Sequence, residues 1–129
     1  MENIEEILKD FNSLLLDLIQ NVADVCPNSV VGIHQKPIVR EITRPDNKVK
    51  FVELFVARIL QYKNQIDSGN DDFFLRKSYD SDVEQDFMQQ VFEFKSIWHE
   101  FKRENKDLVI QYMQLLCELA QKYFIIVYG

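Results

Sequence analysis

Ile4, Ile7, Leu8, Phe11, Leu14, Leu15, Leu18, Ile19, Val22 and Val25 recur at steps of three and four, while Glu5, Glu6, Lys9, Asp10, Asn12, Asp17 and Asn21 take the opposite side. That spacing predicts an amphipathic helix over about residues 2–25. Its early acids suit the positive end of the helix dipole, and Pro27 marks where it should stop. Residues 28–43 carry Val30, Val31, Ile33, His34, Ile38, Val39 and Ile42 at helical spacing, but Gly32 weakens a helix and Pro37 removes a backbone bond. Two short helices and one kinked helix fit equally. Arg44-Pro45-Asp46-Asn47 reads as a break leading into a new start. From about Asp46 to Asp67, Val49, Val52, Val56, Ile59, Leu60 and Ile66 share a face flanked by Phe51, Phe55 and Tyr62, which predicts a central helix. Ser68-Gly69-Asn70 ends it.

Residues 68–80 hold turn formers and acids around an apolar Phe73-Phe74-Leu75 anchor, and Ser81 with Glu84 forms a capping box for a further helix. Val83, Phe87, Val91, Phe94, Trp98 and Phe101 line that helix to about Arg103. Asn105 is the expected cap of a last helix with two stripes. One is Leu108, Tyr112, Leu115, Leu119 and Tyr123; the other is Val109, Met113, Leu116, Ala120, Phe124 and Val127. This helix should be the most buried element or continue into a partner. The tail from Phe124 to Tyr128 is β-prone enough to fray or extend. No sustained alternation and no fixed-period repeat is present. The expected fold is all-α, a compact bundle of about five helices in a single domain over residues 1–129.

Composition narrows the class. A chain of 129 residues is the size of one ordinary domain, and 47% hydrophobic residues with only 3 Gly and 3 Pro exclude a disordered or collagen-like chain. A net charge of −6 opposes any general attraction to nucleic acid or anionic membrane. Cys26 and Cys117 are far apart and belong to no C-x-x-C pair, so both read as free thiols. The acidic start lacks the basic region of an export signal. An intracellular, reducing compartment, cytoplasm or nucleus, is expected. The apolar stretch Leu108–Tyr128 carries Gln111, Gln114, Glu118, Gln121 and Lys122, which argues for a core helix and against a membrane span.

Familiar chemistries lack their parts. Cys26 and His34 straddle a helix break with nothing in the spacing to join them, and His99 beside Trp98 reads as a partly exposed histidine. Two histidines and two distant cysteines supply no zinc set with normal local spacing. An EF-hand counted from Asp67 puts Asp72 at the glycine position and Ser78 at the bidentate glutamate; counted from Asp80, it puts Gln85 and Val91 there. Neither nucleotide-binding glycine motif is present. The acid pairs Glu5-Glu6, Asp71-Asp72 and Asp80/Asp82 read as solvated, whereas acid–base pairs line apolar pockets. No catalytic, cofactor-binding or metal-ligating residue is expected, and the protein reads as a non-enzyme.

Charge is nonetheless uneven. Between His34 and Lys50, the basic residues Lys36, Arg40, Arg44, Lys48 and Lys50 face only Glu41 and Asp46, a local balance of +3; the first helix and residues 67–86 each carry −5. The first four cations repeat every fourth position, which would align them on one continuous helix, although Pro37 and Pro45 oppose continuity. They either answer the acids of the first helix and the acidic loop, form a partner surface, or contact phosphate. No aromatic residue for base stacking precedes Phe51 in this stretch.

In the C-terminal half, Phe94-x-x-x-Trp98, Asn105-Lys106 and Tyr112-x-x-Leu115-x-x-x-Leu119-Ala120 resemble a pattern in small all-helical proteins of large DNA viruses. The likeness covers about residues 87–124, resting on core positions and one helix cap, and carries no catalytic residue. It implies a viral accessory or virion-associated protein acting by contact. With 10 Phe, 5 Tyr and 1 Trp, the chain also holds enough aromatic surface for an interface. The expected function is a helical protein–protein interaction module, with a protein partner or a homodimer through the last helix. The alternative is a nucleic-acid-associated factor using residues 36–50.

Overall fold

A computed structural model describes residues 3–69 and 98–129. The first helix, α1 (Ile4–Val25), begins where the Asn3 side chain accepts the Glu6 amide at 2.9 Å, and ends at Cys26 and Pro27. It buries Ile7, Leu8, Phe11, Leu15, Leu18, Ile19, Val22 and Ala23 along one side, the stripe that the three- and four-residue spacing predicts.

Two short helices follow, α2 (Val30–Ile33) and α3 (Gln35–Thr43). The chain breaks at His34, not at Pro37. Pro37 occupies the third position of α3, where an amide has no intrahelical partner, so the ring costs the helix no bond. Ser29 caps α2: its hydroxyl accepts the Gly32 amide at 3.1 Å and donates to the Cys26 carbonyl at 2.7 Å.

The single helix expected over 46–67 is instead four pieces: a 3-10 turn Pro45–Asn47, α4 (Lys50–Arg58), a second turn Leu60–Tyr62, and α5 (Lys63–Asp67). No glycine or proline marks the break after Arg58, so local propensity does not cause it. Both halves pack on the last helix, α6 (Arg103–Tyr128). Gln114 of α6 donates to the carbonyls of Ile66 and Asp67, at 3.1 and 3.3 Å, satisfying acceptors at the C-terminus of α5. Ile59 and Ile66 are fully buried on either side of the break. Gly69 closes α5 at φ +69°, a left-handed turn that suits glycine, as Ser68-Gly69-Asn70 predicts.

The Phe73–Leu75 anchor, the Ser81–Glu84 capping box and most of the predicted aromatic helix lie outside the described residues. That helix does not run to Arg103: Trp98–Glu100 is a 3-10 turn, and α6 starts at Arg103. The tighter turn directs both Trp98 and Phe101 inward, edge to face at 5.7 Å. Lys102, in extended backbone, occupies the cap position expected for Asn105, which lies in the first turn. The β-prone tail is helical to Tyr128.

Asn21 of α1 meets Tyr112 of α6 at 3.4 Å, while Asp10–Asp17 lies level with Leu115–Lys122. The two longest described helices are therefore antiparallel, with α2 and α3 packed on α1, and α4 and α5 on α6. The buried side chains form one cluster between them. The fold is an all-α bundle, and the described residues contain no strand. No described helix is long and apolar enough to cross a membrane.

Candidate functional site

The five basic residues of 36–50 differ in their partners. Lys36 and Arg40 stand one turn apart on α3, exposed, beside a groove of about 520 Å³ shared with Gln20, Gln35 and Val39. The helix stops at Thr43, and Arg44 adopts extended backbone, so the four-residue alignment is lost there. Arg44 lies 3.8 Å from Glu41 and 3.9 Å from Asp46, Lys48 pairs with Glu5 of α1 at 2.9 Å, and Lys50 pairs with Glu41 at 3.1 Å. Glu41 gathers this cluster: hydrogen bonds from Lys50 and Asn47 hold its carboxyl below the usual carboxylate value. Solvent screens exposed pairs of this kind, so each contributes little to stability. Their effect is to tie the α3–α4 connection and its neighbour α1 together. Arg44, Lys48 and Lys50 thus answer local acids, and Lys36 and Arg40 remain outward.

The second feature is the end of α6. Of its two stripes, Val109, Met113, Leu116 and Ala120 are buried; in the other, Tyr123 is buried and Leu115 is exposed. Burial stops at Tyr123. Phe124 (42% exposed), Ile125 (59%), Ile126 (49%), Val127 (41%) and Tyr128 (57%) then present apolar groups around the whole circumference of the helix. The Phe124 and Tyr128 rings lie 5.6 Å apart within this patch.

The patch is held in place by one carboxylate. Glu53 of α4 accepts hydrogen bonds from the hydroxyls of Tyr123 and Tyr128. Burial, then the Glu53 bond and its charge, push the Tyr123 phenol above its ordinary value of 10.0; for Tyr128 the Glu53 bond is the first cause. A raised folded-state pKa means that the bundle prefers the protonated phenols, so this stabilisation is complete below pH 10 and is lost as pH rises through the higher folded values. Unfolding free energy is expected to fall above about pH 10, more steeply in the native chain than in a Tyr123→Phe/Tyr128→Phe variant. Denaturant titrations between about pH 8 and 11.5 measure it; parallel profiles for the two proteins would contradict the assignment.

The thiols and histidines do not converge. Cys26 is buried at a hollow of about 270 Å³ whose lining includes Asn28, Ser29 and Glu100 but not His34. Burial, and secondarily the Glu100 carboxylate, raise the Cys26 thiol, the opposite of what a thiolate nucleophile requires. Burial pushes Cys117 up to about 12. His34 and His99 are exposed. Among the described residues, no three His, Cys, Asp or Glu side chains are grouped to hold a metal ion.

No protein-family model, curated protein or solved structure matches the chain. The sequence carried a partial signal for the end of α6, an uncharged apolar run after Lys122. It carried none for the Glu53 latch, whose partners lie 70 and 75 positions away.

Proposed function

We propose that the protein is a non-enzymatic helical interaction module that works by presenting the C-terminal end of α6 to a second protein surface, in its simplest form another copy of itself. The observation that supports this is the run Phe124–Tyr128, five consecutive apolar or aromatic residues, each more than two-fifths exposed. Contiguous apolar surface rich in aromatics is characteristic of interfaces, and anchor residues of this kind carry most of their binding energy. Because the patch surrounds the helix, a single neighbour within one bundle cannot cover it. The resemblance of residues 87–124 to small helical proteins of large DNA viruses supports reading such a module as an accessory or virion-associated protein that acts by contact.

Light scattering coupled to size exclusion tests the reading. At about tens of micromolar the chain is expected to elute as a dimer whose mass does not change with salt, because apolar contact is not screened. Ile125→Ser/Val127→Ser should weaken association at least about tenfold. A monomer at every concentration would remove the self-association form.

The alternative, contact with nucleic acid through residues 36–50, draws on the outward Lys36 and Arg40, which make no ion pair with described residues. It predicts a monomer that carries over material absorbing at 260 nm at low salt and releases it at high salt.

A further inference from the structure

The antiparallel pairing of α1 and α6 leaves a groove of about 430 Å³ between them, lined by Asp10, Ser13, Leu14 and Asp17 on one wall and Leu115, Glu118, Leu119 and Lys122 on the other. Leu14, Leu115 and Leu119 supply its apolar part, and Leu115 is 46% exposed. Three carboxylates flank them. None of Asp10, Asp17 and Glu118 makes an ion pair or hydrogen bond with a described residue, whereas Glu5, Glu41, Asp46, Asp67 and Asp107 are each paired with a cation. Among the described residues, Asp10 and Asp17 thus have no cation partner where they border exposed leucine, and Glu118 shares only the charge of Lys63, which is itself paired with Asp67.

We propose that this groove seats a basic amphipathic helix of a partner protein. A helix laid between two helices presents apolar residues at i, i+3/i+4 and i+7 to the leucines and its flanking positions to the two rims. Asp10 and Asp17 are two turns apart on α1, about 10 Å, which matches Lys or Arg at i and i+7 along one flank of the guest; a third cation on its other flank meets Glu118. Lys122 lies level with Asp10, so the guest has no cation on the α6 side at that end. Among the described residues the lining holds three acids against one lysine, which opposes nucleic acid and anionic membranes, since those would need a basic groove. The carboxylates are not grouped to hold a metal ion. The groove and the exposed end of α6 share no residue, so this inference is testable apart from self-association.

The test uses the full chain carrying Ile125→Ser/Val127→Ser, which removes the other surface, and a fluorescent 18-residue peptide with leucines on one face and lysines on both flanks. Anisotropy should report saturable binding that is weakened about tenfold by Asp10→Lys/Asp17→Lys and left nearly unchanged by Asp24→Lys/Asp46→Lys, which makes the same charge change on exposed acids outside the groove. Leu115→Ser should weaken binding at unchanged circular dichroism. Equal loss in both double variants would reduce the effect to general charge attraction and overturn the proposal. So would equal binding of a peptide with glutamate flanks, or no binding at all. Self-association of the chain that is abolished by the Asp10/Asp17 change would assign the groove to a second copy and likewise overturn it.

Discussion

Phe11→Ala is expected to lower the unfolding free energy by about 3–5 kcal/mol, a large share of what a domain of this size possesses. Phe11 is fully buried in α1 and meets Phe55 of α4 edge to face, with ring centroids 5.3 Å apart and planes at 80°. Truncation removes the transfer free energy of the ring and leaves a cavity, and it also forfeits the aromatic pair, about 0.5–1.5 kcal/mol of the total. Phe124→Ala, at the exposed end of α6, should cost less than about 1 kcal/mol. Urea titrations of the two variants at neutral pH measure the difference. Similar midpoints would mean that the bundle is not organised around the α1–α4 contact.

Gly32→Ala is expected to destabilise by about 1–3 kcal/mol, although helix propensity alone predicts a gain of about 0.5–1 kcal/mol. A Cβ at Gly32 would lie 2.4 Å from the Pro27 carbonyl oxygen and 2.7 Å from that of Cys26, and both are backbone atoms. The turn has little room to yield, because the Ser29 hydroxyl bridges the Gly32 amide to the Cys26 carbonyl. The sign of the effect, read by thermal or urea unfolding, separates close backbone approach from propensity. A stabilised variant would show that the α1–α2 corner is looser than these distances imply.

Part of the candidate surface was legible from one dimension. Charge alone picks out the basic residues of 36–50, and the acids at the start of α1 make candidate partners for them. That Lys48 reaches Glu5 while Lys36 and Arg40 meet no acid among the described residues depends on where α3 stops, which periodicity does not fix. The two stripes of the last helix are both apolar, yet Val109, Met113, Leu116 and Ala120 of one are buried while Leu115 in the other borders a groove, because only the neighbouring helices choose which face is covered.

The sequence by itself determined the helical class, the extent of α1, the stop at Gly69 and the lack of familiar catalytic motifs. These follow from local physics: side-chain period, capping side chains, proline's missing amide and glycine's access to positive φ. Tertiary structure decided the division of 46–67, the start of α6 at Arg103, the role of Gly32 and the Glu53 latch. Each of these depends on groups that are remote in sequence or on backbone brought close by folding. α5 is tied to Gln114, and Tyr123 and Tyr128 bind a carboxylate on another helix. Local propensity is worth tenths of a kcal/mol per residue, while core packing is worth whole kcal/mol, so where the two disagree, packing sets the chain.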